Sequence, residues 1–242
     1  MRGYLPYIIN CIIYYLAINK LKMIYVRLLV LILFYSFSSL SFAQNFKSLS
    51  QSKDTNLKLI IDSNIDTSQI FEGLNCPIEI LNNQRLINVK YYSFDNNLHQ
   101  GQLVMHKDLI QDIQQVFALA VKIKFPINSV IPMSNIKFRH NNLWSDDLSM
   151  LANNTSAFNY RTSTNTKSRQ LSMHAYGRAI DINPVQNPYI KNHQILPINA
   201  NYNLTQKGTL NAQHPITLKF LQLGWKWGGN WQSVKDYQHF EK

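Results

Sequence analysis

Two apolar runs, residues 4–18 and 28–40, open the chain, and a polar stretch rich in Ser, Asn, Gln, Lys and Asp follows over 44–67. Beyond it the pattern becomes that of a folded domain. LINVKYYSF (86–94) alternates enough to predict a strand. FDNNLHQGQLVM then predicts a hairpin, with Asp95, Asn96 and Asn97 turning and Gly101 relaxing the backbone. LKLII (57–61) reads as a stray strand, and compact structure is expected from about Ile70. Leu109, Ile113, Val116, Phe117 and Ala120 recur at three- and four-residue spacing, which predicts a helix over 107–123 with Asp108 at its start and Pro126 beyond its end. A short strand over 136–139, a long Asn/Ser-rich loop over 141–166 and a second helix over 215–223, stopped by Gly224, complete the pattern. The fold class is α+β, a small antiparallel sheet with helices packed on it.

The first 43 residues differ in kind. They hold four basic residues (Arg2, Lys20, Lys22, Arg27) and no acidic one. Met23 as a start gives a short basic region with Arg27, then the apolar core LLVLILFYSF, then Ser41-Phe42-Ala43 as small-residue cleavage site. Three parts follow: an export-signal region at 1–43 with the signal peptide at 23–43, a flexible tether at 44–69, and a domain at 70–242. An uncleaved N-terminal anchor is the alternative, although 28–40 is short for a bilayer that needs about 20 apolar residues. Export places the domain in the periplasm or outside the cell.

The formal net charge of +11 stays basic, at +7, once 1–43 is set aside. Such a balance suits anionic polymers or headgroups. The basic residues are scattered and no RNP-like aromatic motif is present, so nucleic acid is not the expected partner. Of Cys11 and Cys76, only Cys76 lies beyond the export region, which leaves no intrachain disulfide and no cysteine-based zinc finger.

Candidate chemistry gathers in two places. In SMHAYGRAIDINP (172–184), His174 and Asp181 are seven apart with Gly177 between them. RAIDI has strand character, and Gly177 lets His174 fold back over the Asp181 face. In DYQHFEK (236–242), Asp236 and His239 are three apart and follow GWKWGGNW, whose Trp225, Trp227 and Trp231 are candidate cleft walls or a C-terminal core staple of aromatics. Two imidazoles and a carboxylate with one open position make a catalytic zinc site. His174, Asp181 and His239 supply those groups, and Asp236 is left over as a general base. No HExxH is present. The remaining histidines, His99, His106, His140, His193 and His214, have no partner at ligand spacing and read as surface or hydrogen-bonded residues. Arg139, Arg169 and Arg178 are rival oxyanion groups, and Asp146-Asp147 is assigned to a loop or helix cap rather than to an acid dyad.

NNTSAFNYR (153–161), SMHAYGRAIDINPVQNPY (172–189), GWKWGGNW (224–231) and DYQHF (236–240) together resemble the M15 family of zinc peptidases, in the family's order. The resemblance spans roughly 70–242. It is nearest to the D-alanyl-D-alanine carboxypeptidases and L-alanyl-D-glutamate endopeptidases that cut peptidoglycan stem peptides. It implies an M15/Hedgehog-like fold with Zn2+ at the sheet face, held by His174, Asp181 and His239. It makes Asp236 the base, where many relatives use Glu. It places the substrate arginine at Arg161, steadying an oxyanion, and a substrate hydrogen bond at Ser172. Glu241 is a fallback base that fits the motif poorly. A monomer acting on stem peptides, with membrane contact only through the export signal, is expected. The alternatives are a non-catalytic zinc-binding wall-recognition module and an N-acetylmuramoyl-L-alanine amidase.

Overall fold

The structure is a computed structural model and describes residues 59–163, 170–198 and 200–242. The export signal, most of the tether and Arg169 lie outside the described residues. In chain order the elements are β1 (Ile60–Ile61), α1 (Ile78–Leu81), β2 (Gln84–Tyr92), β3 (Leu98–His106), α2 (Ile110–Lys122), β4 (Ser129–Val130), β5 (Arg139–His140) and β6 (Leu143–Trp144). They continue with α3 (Asp146–Leu151), β7 (Asn154–Thr155), β8 (Ala179–Asp181), β9 (Tyr189–Lys191), β10 (Gln194–Leu196), α4 (Pro215–Gln222), β11 (Lys226–Trp227), β12 (Lys235–Asp236) and β13 (His239–Glu241). The class is α+β as expected, with one correction. Instead of a single small antiparallel sheet, the described residues form three three-stranded sheets and two two-stranded ones, and the β1–β3 and β4–β7 pairings are parallel.

The frame is the β2–β3 hairpin. Its antiparallel register runs from Gln84 opposite His106 to Tyr92 opposite Leu98. Gly101 lies inside β3 rather than in the turn, where a Cβ would overlap Val130 of β4. One face of the hairpin (Val89, Tyr91, Leu103, Met105) meets the apolar stripe of α2 (Ile113, Val116, Phe117, Ala120). The same core takes in Ile216 and Phe220 of α4, Ile180 of β8 and Phe240 of β13, with Phe220 and Phe240 stacked 4.1 Å apart. Burying each such side chain contributes about 1.5–3 kcal/mol.

A second cluster explains why order begins before Ile70. Ile65, Ile70, Phe71 and Leu74 pack with Val104 and Phe158, and Ile60–Ile61 pairs with His99–Gln100 of β3. Residues 59–69, read from composition as tether, therefore include a paired strand and a capped turn at Thr67–Gln69.

Local signals were displaced more often than absent. The helix expected at 107–123 is a 3-10 turn (Lys107–Leu109) running into α2, capped by His106 Nδ1 rather than by Asp108. The strand expected at 136–139 is a 3-10 turn followed by β5. The loop expected at 141–166 contains β6, α3 and β7. Ser145 caps α3, and Asp146 and Asp147 fall in its first turn, where carboxylates complement the helix dipole. α4 begins at Pro215 behind a His214 cap, as the Pro-first rule favours.

Candidate metal centre

Ser172 starts the construction. Its hydroxyl oxygen accepts the His174 N–H at 3.3 Å and caps a 3-10 turn, Met173–Tyr176. Gly177 ends that turn in the left-handed region, at φ 66°. A Cβ there would be strained and would overlap Gln84 Oε1 and lie 2.7 Å from the His106 nitrogen, so only glycine lets the turn lie against the hairpin. The chain then enters β8, which pairs antiparallel with β13, Asp181 opposite His239 and Ile180 opposite Phe240. Directly opposed residues bring their Cβ atoms to about 4.5–5.5 Å. Register therefore sets two of the three groups side by side, and the turn at Gly177 returns His174 to meet them.

The three donors converge. His174 Nε2 lies 3.1 Å from Asp181 Oδ2 and 3.1 Å from His239 Nδ1, and His239 Nδ1 lies 3.0 Å from Asp181 Oδ1. All three residues are buried, and this is the group of metal-capable donors found among the described residues. The outer ring nitrogens are committed elsewhere. His174 Nδ1 is 2.6 Å from the Ala157 carbonyl, and His239 Nε2 is 3.2 Å from Glu241 Oε2. Each outer nitrogen must donate its proton to that oxygen, so in the neutral rings both inner nitrogens present lone pairs. Two lone pairs and a carboxylate facing one another at 3 Å require a shared cation. Separations of 3.0–3.1 Å also approach the ~3.3 Å edge of a tetrahedron with bonds of about 2 Å. The residues present thus fit a divalent ion that accepts mixed nitrogen and oxygen donors.

Without a metal the same convergence shows in the protonation states. Burial pushes the Asp181 carboxyl up, but His174 and His239 outweigh it and hold it well below the usual carboxylate range. Burial lowers His239, but its hydrogen bonds to Asp181 and Glu241 outweigh that and raise it. A proton thus occupies the place a cation would take, and metal binding must release it.

Asp236 sits on β12, opposite Tyr189 of β9, three residues before the first residue of β13. The residue is half-buried, but its Oδ1 is shut off from solvent and has no hydrogen-bond partner. Burial pushes its carboxyl up to about 6; the Asp181 charge adds to the rise and His239 opposes it. Gly228 makes room for it, since a Cβ there would lie 2.5 Å from the Asp236 carbonyl oxygen. An orphaned carboxylate oxygen beside the donor set is poised to take a proton.

Arg161 is joined to this region through the backbone. Its carbonyl accepts the Ser172 N–H at 3.0 Å, and Asn159 N donates to His174 O at 3.1 Å. Its guanidinium pairs with Asp146 Oδ2 at 3.1 Å, Asp146 in turn accepts from Asn159 at 2.9 Å, and its Nε is buried without a partner. The oxygen of Ser172 is engaged as the cap of the His174 turn, which leaves its hydroxyl proton for other partners. Of the three tryptophans expected to wall a cleft, Trp225 and Trp227 belong to the main core, and Trp231 alone approaches the site, 5.3 Å from the His239 ring. The core takes the other two: Trp225 meets Phe220 of α4 edge-on, and the pairing of β11 with β13 stacks Trp227 on Phe240. The rival arginines are engaged elsewhere: Arg139 with the Ser134 carbonyl and Glu72, Arg178 with the Lys242 carbonyl. Sequence reasoning missed two supporting carboxylates. Glu241 holds His239, for which strand alternation is a usable signal, and Asp146 holds Arg161 across a separation that nothing local announces.

Fold and site together define a small α+β domain with a buried, metal-capable His–Asp–His centre and an adjacent carboxylate one of whose oxygens has no hydrogen-bond partner. A family model described as D-alanyl-D-alanine carboxypeptidase, of the M15 peptidases, matches residues 165–242. That third of the chain contains His174, Asp181, Asp236 and His239, though not Arg161, and the match supports an M15 family peptidase. No curated protein and no solved structure matches the chain.

Proposed function

We propose that the protein is an exported, zinc-dependent hydrolase of peptidoglycan stem peptides, cutting a D-Ala–D-Ala or an L-Ala–D-Glu bond. The observation that carries the reading is the pairing of inward-facing donors on His174, Asp181 and His239 with the unpartnered Oδ1 of Asp236. His174 Nε2, His239 Nδ1 and an Asp181 oxygen would hold the ion. Bound zinc supplies Lewis acidity, lowering the pKa of water toward about 7. Asp236, a carboxylate at neutral pH although raised, takes the proton as water adds to the scissile carbonyl carbon. It returns that proton to the amine as the C–N bond breaks. Arg161 supplies positive charge for the developing oxyanion or a substrate carboxylate, with Asp146 fixing its guanidinium. The domain acts as a monomer on the wall after export through the signal at 23–43. No helix of the described residues is long and apolar enough to cross a membrane.

The test is product analysis on purified sacculi with and without zinc, for wild type and Asp236→Ala. Wild type should release peptide fragments. Asp236→Ala should retain metal and lose about 10²–10⁴-fold in rate. A zinc-loaded wild type that cleaves nothing would instead make this a wall-recognition module, and release of intact stem peptides from muramic acid would make it an amidase.

A further inference from the structure

A cavity of about 510 Å3 opens between the β2–β3 turn, the end of α2 and residues 204–214, and the metal centre uses none of its lining residues. Its volume falls in the range of small-ligand sites, roughly 300–1,000 Å3. Tyr92, Phe94 and Phe125 give it flat apolar walls, and Lys124 and Lys207 give it two cations, with no acidic residue in the lining. Thr209, only 7% exposed, contributes a buried hydroxyl with no hydrogen-bond partner.

Lys124 is the informative residue. α2 ends in a Schellman motif, with Phe125 N bonded to Ala120 O at 2.9 Å and Lys124 N to Val121 O at 3.2 Å. The position after the cap is left-handed, φ 52°, where glycine is favoured and a side chain carries a steric penalty. A lysine placed there against that preference holds its ammonium 5.3 Å over the Tyr92 ring, at the cavity. Non-glycine residues held in such sparsely populated backbone regions cluster at active sites and ligand clamps. The cavity is also tied to the metal strand. Asn183, two residues after Asp181, donates to Pro126 O at 2.8 Å and Gly208 O at 3.2 Å, and both acceptors line it.

Aromatic walls suit the apolar faces of sugar rings, a free hydroxyl suits ring hydroxyls and N-acetyl groups, and paired lysines suit a carboxylate. We propose that this cavity binds the glycan strand of peptidoglycan, an N-acetylated amino-sugar chain, at a muramoyl residue whose lactyl carboxylate is free, while the metal centre works on the peptide amide-linked to a neighbouring one. The assignment rests on the stem-peptide reading above.

The probe is a set of glycan oligosaccharides stripped of stem peptides, titrated into the full domain by calorimetry. Lys124→Gly relieves the backbone strain as it deletes the cation, so it separates lost binding from lost folding; Lys207→Ala is its companion. The double variant should bind the oligosaccharides about tenfold more weakly or worse, keep or raise its melting temperature, and cleave short free stem peptides at the wild-type rate. Undiminished binding in the double variant, or none in wild type, overturns the proposal. So does equally tight binding of a DNA oligonucleotide, which would make the cavity a general polyanion site. Wild type that binds the oligosaccharides but cleaves no stem peptide would sink the hydrolase reading and leave this site standing.

Discussion

Two clusters in this molecule join buried histidine to carboxylate, and they do opposite things. In the first, His99 lies between Asp62 and Asp95, with Nδ1 2.8 Å from Asp62 and Nε2 3.1 Å from Asp95. Tyr91 also hydrogen-bonds to Asp62 and stacks on the His99 ring. Both ring nitrogens point outward to separate acceptors, so a protonated imidazole satisfies the whole arrangement. In the second cluster the outer nitrogens of His174 and His239 are occupied, and the inner ones face each other across Asp181. That arrangement is unsatisfied without a cation. Burial and an adjacent carboxylate are common to both; convergence of lone pairs belongs to one.

The largest effect that tests this contrast comes from His239→Ala. It should abolish stoichiometric zinc, measured by elemental analysis, and cut stem-peptide hydrolysis more than about a thousandfold, because groups acting as a unit fail together. Chelation of wild type should reproduce the activity loss and lower the melting temperature, by the equivalent of about 4 kcal/mol where zinc had been at a thousand times its Kd. Glu241→Gln should leave the fold intact but weaken zinc affinity by about 10–100-fold in competition with a chromophoric chelator, since it loosens the hold on the outer nitrogen of His239. An unchanged affinity would show that register alone orients the ring.

His99→Ala should do the reverse: full zinc content, but about 1–3 kcal/mol less stability to urea, because Asp62 and Asp95 lose a buried partner. The smallest effect is one of pH. Burial lowers the His99 pKa, but the hydrogen bonds and charges of Asp62 and Asp95 outweigh it and leave it raised above 6.5. The folded state therefore holds its proton to higher pH than the unfolded chain. The stability this supplies is complete below about pH 6.5 and declines as pH rises through the folded pKa. Urea midpoints across pH 6–9 should fall less steeply in His99→Gln than in wild type. Equal slopes would remove the linkage.

How far the sequence disclosed all this depended on distance along the chain. His174 and Asp181 could be paired on paper because one turn and one strand separate them, and Gly177 announces the turn. His239 needed the motif as well, since it lies 58 positions from Asp181. Of the helices, α2 and α4 were legible because they carry apolar stripes at helical spacing, whereas α1 and α3, of four and six residues, were too short to show one. The small sheets were not, because strands of two or three residues are too short to show alternation; their pairing is decided by neighbours distant in the chain. His99 shows the same limit. Its partner Asp62 directly follows the strand expected over 57–61 but lies 37 positions from His99, so nothing local marked the histidine as buried. Trp225 and Trp227 left two readings open, of which the core one holds, because an aromatic run looks alike whether it faces a cleft or a core.

The pairing of β8 with β13 has a consequence for how such a domain can diversify. Since Asp181 and His239 are held by ladder hydrogen bonds between neighbouring strands, the intervening connections carry no responsibility for their spacing. Those connections are free to lengthen, shorten or change chemistry over generations, altering which molecules are admitted while the reactive geometry is inherited intact.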